Sequence, residues 1–470
     1  MSSAEEPAVA SPPEVSEPTV SNRYTYVVLG LLSLVYVFNF VDRMVLSLLI
    51  DPIKKEFGVS DTFMGLLTGP AFAIFYTCVG IPIARWADSG NRRNIVSMSL
   101  IVWSAMTAAS GLVRSFGQLA LVRILVGVGE AGGTPPSHSL LSDYFGPEKR
   151  GTALSIYAWG VYIGTAIAFI CGGYVVQNPE IIVSFLCDGS LGTNVGAVTS
   201  VCEGYLRDLP GWRIVFFAVG LPGIPLALVV FLVVRELPRG FSEGPGVNVD
   251  KAPFGEVLSY VLHCRAFVYI VLATSVQALS GYGVITWGIT FLTRVHHLSY
   301  AETGWKLGWL ILLAGCGGTF LGGKIMDSLG AKDVSWNMRL PAYLAIIGLP
   351  FLVGFALLPD PNLALLSFIP FYVLTNMYVG PMHAMVQGLV KLRMRATASA
   401  LLVFMVSIIG LGVGPLAVGA LNDALASAYG DAAIRYSLLI VGSLGGFSSI
   451  LFWQASKYLA EDLAKAAEPS

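Results

Sequence analysis

Charge is what this 470-residue sequence has least of. It carries 28 basic and 29 acidic side chains, so charged residues make up 12% of the chain and the formal net charge is −1. Soluble globular proteins contain about 25% charged residues. So few charges cannot cover the surface of a water-soluble protein of this size, and their balance supplies no basic field for nucleic acid. The composition therefore excludes a soluble enzyme, a disordered chain and a nucleic-acid-binding protein.

Motifs for several kinds of chemistry are also missing. No Gly-x-x-x-x-Gly-Lys-Ser/Thr loop is present, so ATP does not drive this protein directly. No cluster of ligands suggests a metal, no cofactor is indicated, and no nucleophile-plus-base motif suggests an enzyme. The six cysteines show no metal spacing. Cys187 and Cys202 share one long loop that is predicted to face an oxidising exterior, where they could form a disulfide or remain two free thiols.

Hydrophobic residues, in contrast, make up 55% of the chain and occur in long continuous runs. A membrane helix needs about 20 apolar residues, whereas a barrel strand alternates over about 10 residues. The runs therefore predict an all-α membrane protein with twelve transmembrane helices. The predicted spans are 24–50, 61–84, 94–113, 117–141, 151–176, 212–234, 266–293, 302–326, 340–358, 362–389, 395–421 and 433–456.

Lysine and arginine are unevenly divided between the loops. Eighteen of them lie on the side of the N-terminus and eight on the opposite side. Because cytoplasmic loops are enriched in these residues, we expect both termini in the cytoplasm. Residues 1–22 are predicted to be a disordered cytoplasmic tail, and residues 459–470 a second cytoplasmic tail. The sequence has no Asn-x-Ser/Thr sequon, which favours a bacterial inner membrane.

The chain divides into two halves that resemble each other. An offset of 245 residues joins Pro136-Ser-His138 to Pro381-Met-His383, and Arg150-Gly-Thr152 to Arg395-Ala-Thr397. We therefore predict two pseudo-symmetric six-helix halves, residues 23–235 and 266–458, joined by a cytoplasmic linker, 236–265. This organisation is typical of a transporter whose site lies between the halves near the bilayer midplane.

Four ionisable side chains fall well inside predicted spans: Asp42, Arg43, Arg123 and Glu130. A charge there costs about 2.5–3.5 kcal/mol on insertion scales, so it needs a partner or a water-filled cavity. Asp42 and Glu130 are the candidate proton carriers, because burial favours a protonated carboxyl and a nearby arginine favours the ionised form. Arg123 is the candidate switch between them, or an anion clamp. Arg43 either lines the site or pairs with Asp42 or a backbone carbonyl. The alternative for all four is a structural ion-pair network.

The second half carries no charge in the middle of its corresponding helices. It offers instead a set of aromatic and amide side chains: Tyr282, Trp287, Phe371, Tyr372, Asn376 and Tyr378. An ionisable wall facing an apolar wall suits a ligand with a polar head and an apolar body. We therefore expect this set, with Arg43 and Arg123, to bind an amphiphilic small molecule, unless the rings only pack between helices.

Short motifs resemble those of a known family. Ala84-Arg-Trp-Ala-Asp88-Ser-Gly-Asn-Arg92-Arg93 resembles the loop signature of the major facilitator superfamily, although Ala84, Ser89 and Asn91 depart from it. The segment from Arg123 to Ala131 resembles the helix-4 signature. Within the superfamily, Asn39-Phe-Val-Asp42-Arg43 together with Gly129-Glu130-Ala131 resembles the Spinster branch of sphingolipid and lysolipid transporters. A similar Asp-Arg pair occurs in transporters of the anion:cation symporter type, which are the alternative.

The Spinster resemblance implies a secondary transporter that works by alternating access, is coupled to protons and moves a lysophospholipid or a sphingosine-1-phosphate-like lipid. The alternatives are a proton-coupled symporter of small organic anions and a lipid scramblase that needs no gradient. We expect a monomer whose partners are membrane lipids, protons and the amphiphilic substrate. The resemblance also implies an inner gate formed by Asp88, Arg92, Arg93, Arg150, Asp327 and Arg395.

Overall fold

The computed structural model describes residues 21–187, 206–242 and 252–467, and within these ranges the regular structure is entirely helical. The helices of the first half are α1 (Asn22–Leu48), α2 (Ile50–Phe57), α3 (Asp61–Thr68), α4 (Pro70–Ser89), α5 (Arg92–Ser110), α6 (Phe116–Glu130), α7 (Thr134–Tyr144), α8 (Pro147–Ala158), α9 (Gly160–Gln177), α10 (Glu180–Cys187), α11 (Gly211–Gly220) and α12 (Gly223–Val233).

A short helix, α13 (Phe254–His263), precedes the second half. The helices of the second half are α14 (Arg265–His296), α15 (Tyr300–Gly330), α16 (Trp336–Leu357), α17 (Pro361–Asn376), α18 (Val379–Gly388), α19 (Arg395–Met405), α20 (Gly414–Tyr429) and α21 (Ala433–Ala467). A π-helical segment, Val406–Val413, joins α19 to α20.

Each of the twelve predicted spans coincides with one of these helices or with consecutive ones, which confirms the fold class. Several spans are divided into two helices next to a proline. Gly69 separates α3 from α4 just before Pro70, and Pro222 separates α11 from α12, because proline lacks the N–H that a helix interior uses. Among the described residues, nine helical stretches are long and apolar enough to cross a membrane, and the last, Arg395–Ala467, contains two predicted spans.

The two halves pack against each other along two seams at the end that is predicted to face outside. In one seam α9 packs on α15, and in the other α3 and α4 pack on the π-helical segment and α20. Glycines allow the backbones to approach. A Cβ atom added to Gly304 would lie 2.0 Å from the carbonyl oxygen of Phe169, and one on Gly69 would lie 2.4 Å from that of Gly412.

The opposite, predicted inner end is more accessible to solvent. Asp88, Asp327 and Arg395 are exposed there, and so are His138 and His383 on α7 and α18. Protein surrounds His138 although solvent reaches it, as expected for a side chain that lines a deep cavity. The bundle is therefore closed at its outer end and open at its inner end.

Candidate functional site

The four intramembrane charges meet between α1 and α6. Asp42 and Glu130 are completely inaccessible to solvent, and Arg43 and Arg123 are buried beside them. Arg43 forms the ion pair: its Nη2 donates to Glu130 Oε2 at 2.8 Å and its Nε donates to the same oxygen at 3.3 Å. The amide oxygen of Asn39, one turn away, accepts a third bond at 3.3 Å. The predicted pairing of Arg43 with Asp42 or a backbone carbonyl is therefore wrong, because Glu130 takes that place.

Arg123 binds the backbone of α1 and contacts neither carboxylate by a hydrogen bond. Its Nη1 and Nη2 donate to the carbonyl oxygens of Asp42 and Arg43, both at 3.2 Å. The ring of Phe72 from α4 lies against both guanidinium groups, 4.7 Å from Arg123 and 4.8 Å from Arg43. A Cβ atom on Gly127 would lie 3.0 Å from Phe72 O, so this glycine makes room for the ring between the charges.

Asp42 is the least satisfied of the four groups. The Trp103 indole and the Thr107 hydroxyl lie beside its carboxylate, but neither closes a hydrogen bond of good geometry. The second oxygen of Glu130, Oε1, likewise has no hydrogen-bond partner. Both groups therefore carry buried oxygens to which no described side chain donates a hydrogen bond.

The opposite wall is built from tyrosines rather than from all of the predicted residues. Tyr282 of α14 lies beside Arg43. Tyr372 and Tyr378 lie within electrostatic reach of Tyr282 and also of Tyr162, which belongs to α9 of the first half. These rings place hydroxyl groups, but no charge, across from the ion pair.

Asn376 connects this wall to the first half. The Tyr162 hydroxyl lies 2.7 Å from Thr319 Oγ1 and 3.4 Å from Asn376 Oδ1, while the Asn376 amide donates to Tyr372 O at 2.7 Å. A Cβ atom on Gly315 would lie 2.2 Å from the Tyr162 ring, so the ring fits only because that position is glycine. Tyr162 thus bridges the two halves near the middle of the bundle.

Trp287 and Phe371 do not join the wall, which corrects their predicted place. Trp287 is inaccessible, and its indole N–H donates to Pro415 O at 2.9 Å within the packing of α14 on α20. Phe371 is 3% exposed and packs against Phe368 with ring centroids 5.8 Å apart. The place of a residue along the sequence gives its helix but not the face it lies on, and both residues lie on faces that pack into the core.

Four tyrosines of the first half were not predicted: Tyr162, described above, and Tyr36, Tyr76 and Tyr157. Tyr36 stacks on Tyr157 at 4.4 Å between ring centroids and lies within reach of Tyr76 and Arg43. Tyr36 precedes Arg43 by seven residues, two helical turns, so the two share a face of α1. That spacing is the signal by which the sequence could have identified it.

The residues predicted for the inner gate separate into two groups. Arg92 is fully buried and holds the first half together: it pairs with Asp143 and Glu236, and its Nη2 donates to Leu237 O at 2.7 Å. Arg93 N donates to Glu236 Oε2 at 3.0 Å. Within the same half, Arg150 donates to Ser142 O at 3.0 Å. The exposed members of the set are Asp88, Asp327 and Arg395.

An ion-pair cluster links the halves at the outer end. The sequence does not reveal it, because Asp51, Lys54 and Arg294 fall outside the predicted spans and Asp61 is the first residue of one. Arg294 of α14 donates to Asp51 at 2.5 Å and to Asp61 at 2.5 Å, so a second-half cation binds two first-half carboxylates. Lys54 also binds Asp61, at 2.6 Å. Beside this cluster, Asn422 Nδ2 donates to Asp61 Oδ2 at 3.0 Å.

Of the cysteines whose side chains the structure describes, Cys78, Cys171, Cys264 and Cys316 are all free thiols. Cys202 lies outside the described residues, so its pairing with Cys187 stays a prediction. Cys264 is buried just before α14, and burial raises the pKa of its thiol to about 12. In the described parts of the chain, no three His, Cys, Asp or Glu side chains come together as metal ligands would.

Known proteins match along nearly the whole chain. The family model of the Major Facilitator Superfamily matches residues 32–415. An MFS-type efflux pump of Mycolicibacterium smegmatis is 31% identical over 95% of this chain and 96% of its own length. Protein spinster homolog 3 of Danio rerio is 25% identical over 96% of this chain and 88% of its own. A hexuronate transporter of Bacillus subtilis is 21% identical over 88% of this chain and 90% of its own length.

The solved structures add a match in three dimensions. The crystal structure of a bacterial homologue of the human lysosomal transporter Spinster, in an inward-facing and unoccupied conformation, superposes with a TM-score of 0.85 at 32% identity. It covers 94% of this chain and 99% of that one. The inner opening seen here agrees with the conformation of that structure.

Proposed function

From the premise that the chain belongs to the Major Facilitator Superfamily, we propose that it is a proton-coupled secondary transporter of an anionic amphiphile, such as a lysophospholipid or a sphingosine-1-phosphate-like lipid. The two halves rock about the site between them, so that it faces one side of the membrane at a time. The observation that carries this proposal is the buried Arg43–Glu130 pair facing an uncharged tyrosine wall.

The surroundings of the carboxylates support the proton coupling. Glu130 has one oxygen on Arg43 and one without a partner, and both Asp42 oxygens lack a hydrogen bond. An anionic head group that binds Arg43 competes with Glu130 for the same donors. The displaced Glu130 then loses its cation, which favours uptake of a proton. Binding of the substrate and of the proton are coupled through this exchange.

The two walls support the amphiphilic substrate. Arg43 and Arg123 supply cations on one side, and Phe72 supplies an apolar surface between them. Across the site, the partly buried rings of Tyr282, Tyr372 and Tyr378 supply apolar surface against which an alkyl chain can pack. Each methylene buried there contributes about 0.8 kcal/mol, so chain length should control affinity.

Transport in proteoliposomes tests the proposal. We expect uptake of a lysophospholipid to respond to an imposed pH gradient, and the apparent affinity to rise about tenfold for two added methylenes until the cavity is full. Tyr378→Ala should weaken long-chain substrates more than short ones. Tyr429→Ala is the matched control, because Tyr429 lies at the outer end, away from the site.

Two outcomes would replace the proposal with an alternative. A sugar acid or short dicarboxylate as the best substrate, with no effect of chain length, would favour the symporter of small organic anions, as the hexuronate transporter suggests. Lipid movement that ignores the pH gradient would favour a scramblase.

A further inference from the structure

In the outer seam formed by α3 and α20, the N-terminus of α3 is capped by a side chain of the opposite half. The first N–H groups of a helix have no partner within the helix. At α3, the Ser60 side chain accepts from Phe63 N. Asp423 of α20 takes the remaining donors: it accepts from Asp61 N at 3.1 Å, from Thr62 N at 2.7 Å and from the Thr62 hydroxyl at 2.5 Å.

The other outer seam, between α9 and α15, has a cap in the reverse direction. Here α15 belongs to the second half, and the Ser299 side chain accepts from Glu302 N. Gln177, the last residue of α9 in the first half, accepts from Ala301 N at 3.2 Å. Each half thus caps one helix of the other.

The two caps are pseudo-symmetric copies. A shift of 239 residues carries Ser60 to Ser299 and Thr62 to Ala301, and a shift of 246 carries Gln177 to Asp423. The same shifts relate the glycine contacts beneath the caps. A Cβ atom on Gly173 would meet Tyr300 O at 2.4 Å, and one on Gly419 would meet Asp61 O at 2.3 Å.

The second shift is one residue longer than the 245 that relates Arg150 to Arg395. The π-helical segment Val406–Val413 lies between Arg395 and Asp423 and accounts for the extra residue, since a π turn accommodates one more residue than an α turn. The repeat therefore continues through the cap positions, and the caps correspond as elements of the fold.

We propose that Asp423 and Gln177 are positioning residues that hold the outer end closed, and that Asp423 makes the larger contribution. Any rotation that separates the halves at this end must break both caps. A carboxylate at a helix N-terminus makes charge-assisted bonds and is favoured by the helix dipole. Gln177 contributes one neutral bond. The proposal rests on alternating access, and does not depend on the lipid substrate or the proton.

Alkylation of a buried thiol measures outer opening directly. In a chain whose six native cysteines are replaced by serine, Ala73→Cys is the reporter, because Ala73 is inaccessible and faces Gly412 across the seam. The rate at which this cysteine reacts with a maleimide in detergent, without substrate or gradient, is proportional to the population of the open state. We expect Asp423→Ala to raise the rate about tenfold and Gln177→Ala about threefold. The double variant should show the product of the two effects.

Asp360→Ala is the matched control. Asp360 caps α17 within the second half by accepting from Asn362 N and Leu363 N, each at 2.9 Å, so its loss should leave the rate unchanged. An unchanged rate in Asp423→Ala, or an equal rise in Asp360→Ala, would overturn the proposal. If Asp423→Ala does not fold, Asp423→Asn takes its place. This variant keeps an acceptor oxygen but loses the charge, so it should raise the labelling rate by less than tenfold. An unchanged rate in both Asp423→Asn and Gln177→Ala would overturn the proposal. Failure of lipid transport with the expected labelling rates would reject only the proposed substrate.

Discussion

Asp42 and Glu130 are both inaccessible to solvent, yet different contacts hold them. Glu130 is bound by the guanidinium of Arg43, whereas no hydrogen bond of good geometry reaches the Asp42 carboxylate. We therefore expect Glu130→Gln to lower the free energy of unfolding by on the order of 1–3 kcal/mol, because the charge of Arg43 loses its partner. Asp42→Asn should leave stability unchanged or raise it. Thermal unfolding in detergent measures both.

The same two variants separate stability from coupling. If both carboxylates carry protons, both variants should lose the response to a pH gradient, although only Glu130→Gln is less stable. Normal pH dependence in both would reject the proton-carrier assignment and leave Arg43–Glu130 as a structural pair.

The sequence identified which charges lie in the membrane but not how they pair. Asp42, Arg43, Arg123 and Glu130 could be selected because any charge in a long apolar run is conspicuous. Their pairing depends on which way two long arginine side chains extend, and the local sequence does not show that the Phe72 ring of another helix lies against both. The choice of Trp287 failed for a related reason: an offset along the chain gives the helix and the depth of a residue but not the direction it faces.

At the scale of the helices, the glycines of α15 differ in how closely neighbouring atoms pack against them. A Cβ atom on Gly304 would lie 2.0 Å from the backbone oxygen of Phe169, while one on Gly317 would meet nothing within 4 Å. Gly304→Ala should force the seam apart and destabilise the closed outer end by about 1–3 kcal/mol. Gly317→Ala, in the same helix, should be neutral or stabilise the protein by up to about 1 kcal/mol.

Outer-end labelling at Ala73→Cys and thermal unfolding check this contrast. Equal effects of the two substitutions would mean that the seam between α9 and α15 is not close-packed in solution.

The helices themselves were predictable, whereas the contacts between the halves were not. Long apolar runs place the spans to within a few residues, although the break at Pro222 inside the span 212–234 was not predicted. The cap between Asp423 and Thr62 joins positions 361 residues apart, and no local pattern indicates such a partner. Once the structure gives one cap, however, the repeat in the sequence leads to the other.

On the scale of the whole molecule, the two ends of the bundle are held unequally. The outer end combines glycine seams, two caps and the ion pairs of Arg294 with Asp51 and Asp61, while the inner end is open. A transporter must visit the opposite state as well, so these outer contacts cannot be too strong. Their sum determines how much free energy must be supplied to turn the protein outward.

Arg294→Gln should shift this balance toward the outward-open state. The ion pairs of Arg294 lie between the exposed and buried classes of ion pair. Their loss should therefore destabilise the closed outer end by on the order of 1–3 kcal/mol, which changes the ratio of the two states by about five- to 150-fold. Lys54 stays bound to Asp61, which keeps that buried carboxylate paired.

Labelling at Ala73→Cys should therefore accelerate in Arg294→Gln. In a second chain that keeps Cys316 as its single cysteine, labelling of Cys316, which lies beside Tyr162 and Tyr372 in the inward-open site, should slow when measured from the inner side. Arg435→Gln is the control, because Arg435 binds Ala356 O within its own half. Opposite changes at the two reporters identify a population shift, whereas faster labelling at both would indicate general loosening and contradict the role of Arg294 as an outer lock.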